Sequence, residues 1–565
     1  MNFDFIRDEK FLLLIVIAVF LVFTIPQLGS LFVEDELDAI IFGKNAIGNA
    51  HYTRYVYEGR ASLDPPEEWI PRLTHLPMLS YSISFGYLIG LADSTIRLVP
   101  IFYMILTIFF IYLTVKKLVI KLDMDKRLPI LTTFLFSISM YVVQASLLVQ
   151  ISTSTLMFTF SLFIYVFVNF CDKLNWKNST LLAVLFAFIL WSKMGEPVGL
   201  GASLVVFYLL RKNYRNAIYC VYIVVAGFSI MLATWFLYWY FQGIDIYFFL
   251  RPFTHDMERA TDAVFNLSLK RMLALFYTVK RFIFWFTPAL SLLFVYAFMK
   301  RVIEFKNSRK INFFDFFYIF SFIMFVEFIL VGGTSFTFPK HHATMMLAMP
   351  LIAAVIILKF KYDFQRKHIL LYSTCFAIPI IYHILFFPVP LMLPYPLSMG
   401  ALEAVNAFGM YMIPFLLVLS IMWFFMKKKC GMGKIFVLTC LLVFLSTSIY
   451  MNILHMNSDF SKMFNYGETG MEDAIGYVSD NTDPQDIIVA PREIGYYTKR
   501  TFYCTGYQHS KPDFDNVIDL PGIKYYVFRS IFRDQNPEII ELVENTGYEL
   551  RKVYGNFYIY AQIES

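Results

Sequence analysis

The chain is a succession of apolar runs broken by short polar turns. A helix that crosses the hydrocarbon core of a bilayer needs about 20 mostly apolar residues, and about thirteen stretches qualify or come close. They lie near residues 11–30, 97–115, 128–147, 154–171, 179–192, 197–210, 217–241, 275–299, 312–331, 343–358, 369–388, 407–426 and 435–453. The runs at 179–192 and 197–210 are short. A further run, 76–92, is rich in Ser, Tyr and Gly and reads as a juxtamembrane or re-entrant helix, not a span. The first run, Phe11 to Ile25, reaches Pro26 without a small-x-small cleavage site, so it reads as a retained span.

Composition agrees with this pattern. Of the residues, 58% are hydrophobic and only 16% charged, with 63 Phe and 37 Tyr. Mean hydropathy is +0.59. A water-soluble globule would lack the polar surface to cover such a chain, and a disordered or collagen-like chain has the opposite bias. The six cysteines are scattered without a CxxC pair or a Cys/His cluster, which points away from a disulfide framework and from structural zinc. The expected fold is a polytopic α-helical membrane protein with about thirteen transmembrane helices.

The net charge of +6 has meaning only loop by loop. Excess Lys and Arg in short loops marks the cytoplasmic side. With 76–92 kept out of the count of spans, the basic residues fall on alternate turns. These turns hold Lys116 to Arg127; Arg211, Lys212 and Arg215; Lys300 to Lys310; Lys359 to Lys367; and Lys427 to Lys434. The other turns are acidic, long or nearly uncharged. The N-terminus is therefore expected in the cytoplasm and the tail outside, in a multi-pass protein of the cell membrane. The partner this charge implies is the lipid bilayer; no nucleic acid is expected.

From about His455 the chain turns polar. The spans form one domain, 1–454, with 31–96 as the first external loop and its juxtamembrane helices. The tail, 455–565, is long enough for a small extracytoplasmic α/β domain. A helical stretch (Met471–Ser479) precedes a strand near Asp486–Pro491. A second strand lies at Lys524–Phe528 and a helix at Pro537–Asn545. An alternating run, Tyr548–Ile563, breaks at Gly555-Asn556 as a hairpin would.

The unusual chemistry gathers on the external turns. Directly after the first span come Glu34, Asp35, Glu36 and Asp38, four carboxylates within five residues. At a membrane boundary such a group is costly unless solvated, paired or used. Later external turns carry His75 with Tyr81, the sequence Trp191-Ser-Lys-Met-Gly-Glu-Pro197, Arg251 with His255, and Lys340-His-His342. One face thus offers bases or metal ligands (Asp35, Glu36, Glu196) together with cations (Lys193, Arg251, Lys340). Activating a hydroxyl while expelling a lipid phosphate needs that combination.

The order of these pieces resembles a known family. One span is followed by Glu34-Asp-Glu36 and a helix, then by His75-Leu-Pro-Met-Leu-Ser-Tyr81, then by Ile96-Arg-Leu-Val-Pro100 opening a span. This resembles the GT-C glycosyltransferases, in the branch of protein O-mannosyltransferases and lipid A aminoarabinose transferases. Leu190-Trp-Ser-Lys-Met-Gly-Glu-Pro197 is similar to that branch's L-x-(T/S)-K-x-x-x-P turn, and Lys340-His-His-Ala-Thr-Met-Met-Leu-Ala-Met-Pro350 to its late basic segment. The likeness covers most of residues 1–360, with the remainder matching in layout.

The resemblance implies an inverting transfer of a hexose or pentose, on the external face, from a polyprenyl- or dolichyl-phosphate sugar. The acceptor would be a hydroxyl on a protein, a glycan or a lipid. Carried over, Asp35 is the general base with Glu36 assisting. Lys193, Arg251, Lys340 and His341 hold the donor phosphate, while His75, Tyr81, Glu196 and His255 line the substrate site. There are departures. Asp38-Ala39 replaces Tyr-Ala, and Leu76-Pro77 replaces two prolines. Gln144, Gln150, Ser152 and Thr153 occupy the region in which relatives carry an acidic residue that helps bind a metal. That departure speaks against a metal; Asp35 and Glu36 are the candidate ligands if one binds, and the sequence specifies no divalent cofactor. The main competing reading is a transporter or flippase of lipid-linked or other solutes. Transporters concentrate ionisable groups near mid-membrane in repeated halves, whereas here they sit at one boundary with no repeat. A structural protein with an external sensor domain would leave the acids and cations unexplained.

Overall fold

The computed structural model describes residues 8–32, 35–48, 56–57, 60–61, 78–149, 153–193, 195–241, 287–308, 310–327, 339–360, 366–386, 401–428, 430–456, 470–504, 518 and 522–563. The chain divides into two compact units. One comprises Met1–Gly29, Leu73–Leu79 and Asp93–Ser458; the other comprises Ser30–Arg72, Ser80–Ala92 and Asp459–Ser565.

Apolar helices build the first unit. In chain order the helices are α1 (Glu9–Thr24), α2 (Asp35–Gly48), α3 (Met78–Leu88), α4 (Leu98–Leu122), α5 (Leu128–Ser137), α6 (Met140–Leu147), α7 (Ser154–Phe170) and α8 (Trp176–Ser192). There follow α9 (Glu196–Leu210), α10 (Tyr214–Phe241), α11 (Pro288–Ser308), α12 (Asp315–Glu327), α13 (Met349–Leu358), α14 (Arg366–Phe386), α15 (Ala401–Met426) and α16 (Met432–Met456). Of these, α2 and most of α3 belong to the second unit. Among the described residues five helices are long and apolar enough to cross a membrane, and six if one bent pair counts as a single span. Shorter apolar helices include α7, α8 and α9. At 11 residues, α3 is only about 16 Å long, too short to span.

Local chemistry sets the helix ends. The Asp8 side chain caps α1 by accepting from the Lys10 amide at 2.9 Å, and Asn175 caps α8 by accepting from the Asn178 amide at 3.0 Å. Buried hydroxyls inside the helices return their hydrogen to the backbone one turn earlier. Thr133 bonds the Pro129 carbonyl at 2.9 Å, Thr159 the Thr155 carbonyl at 3.0 Å and Ser203 the Gly199 carbonyl at 2.6 Å. A hydroxyl bonded to its own helix in this way is satisfied without water.

One expected span is broken. Residues 128–147 form two helices, α5 and α6, bent by 61°. At the break Ser139 has an extended backbone, ψ 126°. The buried Asn452 side chain of α16 donates to the Ile138 carbonyl there at 2.9 Å. The buried Arg97 guanidinium donates to the Leu147 carbonyl at the far end of α6. Asn452 thus satisfies a carbonyl that a continuous helix would have satisfied itself, and Arg97 satisfies one of the carbonyls left open where α6 ends. Apolar periodicity does not reveal such a break, because the residues on either side remain apolar.

The Lys/Arg-rich turns meet at one end of this unit. Lys116 pairs with Glu9 at 2.6 Å, joining the end of α4 to the start of α1. Lys121 pairs with Asp172 and lies 4.9 Å from the Phe313 ring centroid. Arg301 makes a two-pronged contact with Asp315, 2.5 and 2.6 Å, across the turn from α11 to α12. Lys359 approaches Glu304 at 3.7 Å. The alternation read from charge is therefore built into the packing: successive helices return to this end.

The second unit holds the described tail. Its elements are a two-stranded ribbon, β1 (Val56–Tyr57) with β2 (Arg60–Ala61), then α17 (Met471–Asp480), β3 (Ile487–Ala490), α18 (Arg492–Thr498) and β4 (Thr501–Cys504). They continue with β5 (Ile523–Arg529), α19 (Ser530–Gln535), α20 (Pro537–Asn545), β6 (Tyr548–Tyr554) and β7 (Phe557–Gln562). Five strands form one sheet in the order β4-β3-β5-β7-β6. The first three are parallel, and β7 and β6 extend the sheet antiparallel as a hairpin. Alternate residues serve opposite faces, as a strand requires. Ile488, Ala490, Tyr525 and Val527 pack with Met471, Ala474 and Val478 of α17. Val489, Tyr526 and Phe528 pack with Phe532, Ile539, Ile540 and Val543 of α19 and α20. The helix and strand positions expected at 471–479, 486–491, 524–528, 537–545 and 548–563 are all occupied as such. Short elements between them, α18, β4 and α19, lack a period long enough to read.

Candidate active site

The candidate residues fall in both units, each described by itself. In the helical unit, α8 ends at Lys193, whose backbone is extended, and α9 starts at Glu196 with Pro197 in its first turn. Proline suits that position, where its missing N–H is not needed. The tight turn brings the Lys193 ammonium onto the Glu196 carboxylate as an ion pair. Side-chain exposure is 18% for Lys193 and 10% for Glu196, so the pair is largely withdrawn from water. It lies at the end of α8 and α9 opposite the Lys/Arg-rich turns; at the other end of the same helices the Tyr208 hydroxyl donates to the Cys171 carbonyl at 2.5 Å.

A second carboxyl group stands beside this turn. Glu327 ends α12, which packs along α9. Its Oε2 occupies the space left by the missing side chain of Gly199, so a Cβ there would overlap it, and would also lie 2.7 Å from Met324 Sδ. Gly199 is one turn beyond Glu196 on the same helical face. Among the described residues, Oε2 of Glu196 and Oε2 of Glu327 are buried without a hydrogen-bond partner. Two buried, unsatisfied carboxylate oxygens beside a lysine are costly, the sort of feature that folding alone does not favour. Glu327 was absent from the sequence-derived candidates. The available signal was an acid inside the apolar run 312–331, four residues from its end.

Gln144, in the region where the resemblance implies an acidic residue, is buried on α6 with its amide 3.5 Å from the Gln27 oxygen. A carboxamide is a poor substitute for a carboxylate ligand, and among the described residues no group of three His, Cys, Asp or Glu side chains comes together. The described α6 thus offers no carboxylate in this region.

In the second unit, α2 starts at Asp35. Glu36 beside it is buried at 2% exposure, as are Leu37 and Ile40. The helix therefore presents an acid inward among apolar residues. α2 packs close to α3, where Ser84 donates to the Gly43 carbonyl at 2.7 Å. Tyr81, also on α3, is 41% exposed. The side chains of Asp35, Lys340 and His341 lie outside the described ones, though Asp35 is placed at the start of α2 and Lys340 and His341 in a 3-10 helix, Pro339–Leu347. His75, Arg251 and His255 lie outside the described residues.

Comparison with known proteins bears on this arrangement. Residues 74–239 match the dolichyl-phosphate-mannose-protein mannosyltransferase family. This stretch includes α3, the buried Arg97 and the Lys193–Glu196 turn. The fold is that of ArnT from Cupriavidus metallidurans. The ArnT structure bound to undecaprenyl phosphate matches with a TM-score of 0.61 at 12% identity, over 99% of this chain and 99% of that one. The apo ArnT structure matches with a TM-score of 0.55 at 12% identity, over 97% of each chain. No curated protein matches this chain in sequence.

Proposed function

We propose that this chain, a membrane glycosyltransferase of the GT-C superfamily, moves a sugar from a polyprenyl- or dolichyl-phosphate donor to an acceptor hydroxyl, with inversion at the anomeric carbon. The observation that carries the reading is the largely buried Lys193–Glu196 turn, inside the family-matched stretch and opposite the basic turns. By the charge rule those basic turns face the cytoplasm. The reaction then takes place on the external side, where the tail also lies.

The roles follow from the chemistry. Asp35 takes the proton of the acceptor hydroxyl, with Glu36 assisting. The freed oxygen attacks the anomeric carbon from the face opposite the phosphate. The bond from that carbon to the phosphate oxygen breaks, and its electron pair leaves with the lipid phosphate. The transition state is oxocarbenium-like, as in glycoside cleavage. Phosphate is a good leaving group, so cations rather than a general acid assist its departure. Lys193, Arg251, Lys340 and His341 supply them. Lys193 exchanges Glu196 for the donor phosphate, and Glu196, with His75, Tyr81 and His255, lines the substrate site.

The competing transporter reading predicts a different product. The test is purified protein in detergent, where no second compartment exists, given a panel of undecaprenyl-phosphate-linked hexoses and pentoses with membrane-extract acceptors. Release of undecaprenyl phosphate with a new glycoside supports transfer. Recovery of every lipid-linked sugar intact, from protein that binds it, supports carriage.

A further inference from the structure

The helix that carries Asp35 and Glu36 is tied to one short helix of the tail, once through a residue that precedes it and once from its second half. Just before α2, the Phe32 amide donates to the Tyr497 hydroxyl at 2.5 Å. Toward the other end, the Lys44 ammonium donates to the Tyr496 hydroxyl at 2.9 Å. That ammonium also lies 5.3 Å from the ring centroid of Tyr87 on α3 and 5.4 Å from that of Tyr496, within cation–π range of both. Leu31 packs against the apolar cluster between the sheet and α17.

The anchor itself is rigidly rooted. Tyr496 and Tyr497 are neighbours on α18, which connects the parallel strands β3 and β4. Glu493 in the first turn of α18 pairs with Arg529 at the end of β5 at 2.7 Å, with side-chain exposures of 2% and 6%. A helix of 14 residues is marginal on its own in water. What α2 packs on therefore decides where its first residues stand.

We propose that Tyr496 and Tyr497 are positioning residues for sugar transfer: through them the C-terminal sheet fixes α2, and with it the acid pair at the start of that helix. This rests on the assignment of Asp35 and Glu36 given above. It also gives the tail a task, because a general base displaced by about 1 Å can lose a hundredfold in rate. Neither tyrosine touches donor or acceptor in this account. Their loss therefore acts on the chemical step and not on donor binding.

The experiment uses the full-length protein with the undecaprenyl-phosphate sugar it consumes. Tyr497→Phe removes the hydroxyl to which the Phe32 amide donates, and the double variant with Tyr496→Phe also removes the hydroxyl to which Lys44 donates. For the double variant, kcat falls by about tenfold or more, while donor KM stays within about twofold. Hydrogen exchange across residues 35–48 rises by about tenfold, with exchange in β3 and β5 unchanged. Lys44→Met, which leaves α18 intact, moves kcat and exchange in the same direction. Wild-type kcat in the double variant overturns the proposal, and so does exchange that rises equally through the sheet. Asp35→Asn, assayed alongside, separates the two readings. Persistent turnover there removes the base; lost turnover there with wild-type kcat in the tyrosine variants removes only the positioning role.

Discussion

The Lys193 ammonium is held by the carboxylate of Glu196, three residues on, across the break between α8 and α9. The pair is cut from a single tight turn, so neither group depends on distant packing to find the other. In the proposed role, a lysine already matched to a carboxylate would offer the donor phosphate a charge held at a defined place, and it would have to leave Glu196 when the phosphate binds.

Lys193→Ala is expected to weaken binding of undecaprenyl phosphate by about tenfold or more, the scale of one charge-assisted contact. Titration of the purified variant with undecaprenyl phosphate measures this. Unchanged affinity would remove Lys193 from the phosphate site.

Gly199→Ala is expected to destabilise the helical unit by about 1–3 kcal/mol, the usual range for overpacking. The new methyl group would overlap the Glu327 carboxylate and crowd Met324. Thermal unfolding in detergent measures the loss. Adding Glu327→Ala to the same protein is expected to recover part of it, because the two sites share one space.

Glu493→Ala is expected to cost the tail about 3–5 kcal/mol, since it strands a buried guanidinium. Hydrogen exchange in β3 and β5 of the full-length protein should rise steeply, while helices α4 and α7 keep their protection. Equal protection in the variant would mean that the Arg529–Glu493 pair contributes little.

Gly470→Ala strains the same unit by another route. Gly470 has φ +82°, which L side chains rarely adopt, and a Cβ there would meet the Tyr554 carbonyl and lie 2.8 Å from the Gly555 nitrogen. Backbone cannot yield as a flexible side chain does. Loss of about 1–3 kcal/mol is expected, read from the same exchange experiment.

The helical plan was legible because two independent signals in the chain agree. Apolar runs mark the spans, and Lys116, Lys121, Arg301 and Lys359 mark the shared end at which the structure then pairs them. The α5–α6 break was not legible, because its cause lies elsewhere in the chain. Asn452 supplies the hydrogen bond at the break and Arg97 the one at the far end of α6, and each is only a lone polar residue in sequence. The Lys193–Glu196 turn was visible as two charges beside Gly and Pro. Glu327 comes beside the Lys193–Glu196 turn through the smallness of Gly199, a relation between α12 and α9 that no spacing encodes. The attachment of α2 to Tyr496 and Tyr497 is likewise a long-range contact, and the polar composition of the tail carried no hint of it.

Turnover by Asp35→Asn tests the central claim most directly. The substitution keeps the shape of the side chain and removes its basicity. Undecaprenyl phosphate released from the lipid-linked sugar is measured for wild type and variant at matched thermal stability, with binding of undecaprenyl phosphate as the control. The account expects binding to be retained and release to fall by about a thousandfold, the scale of a lost general base, because the attacking oxygen would keep its proton. Release at the wild-type rate from the folded variant would contradict it.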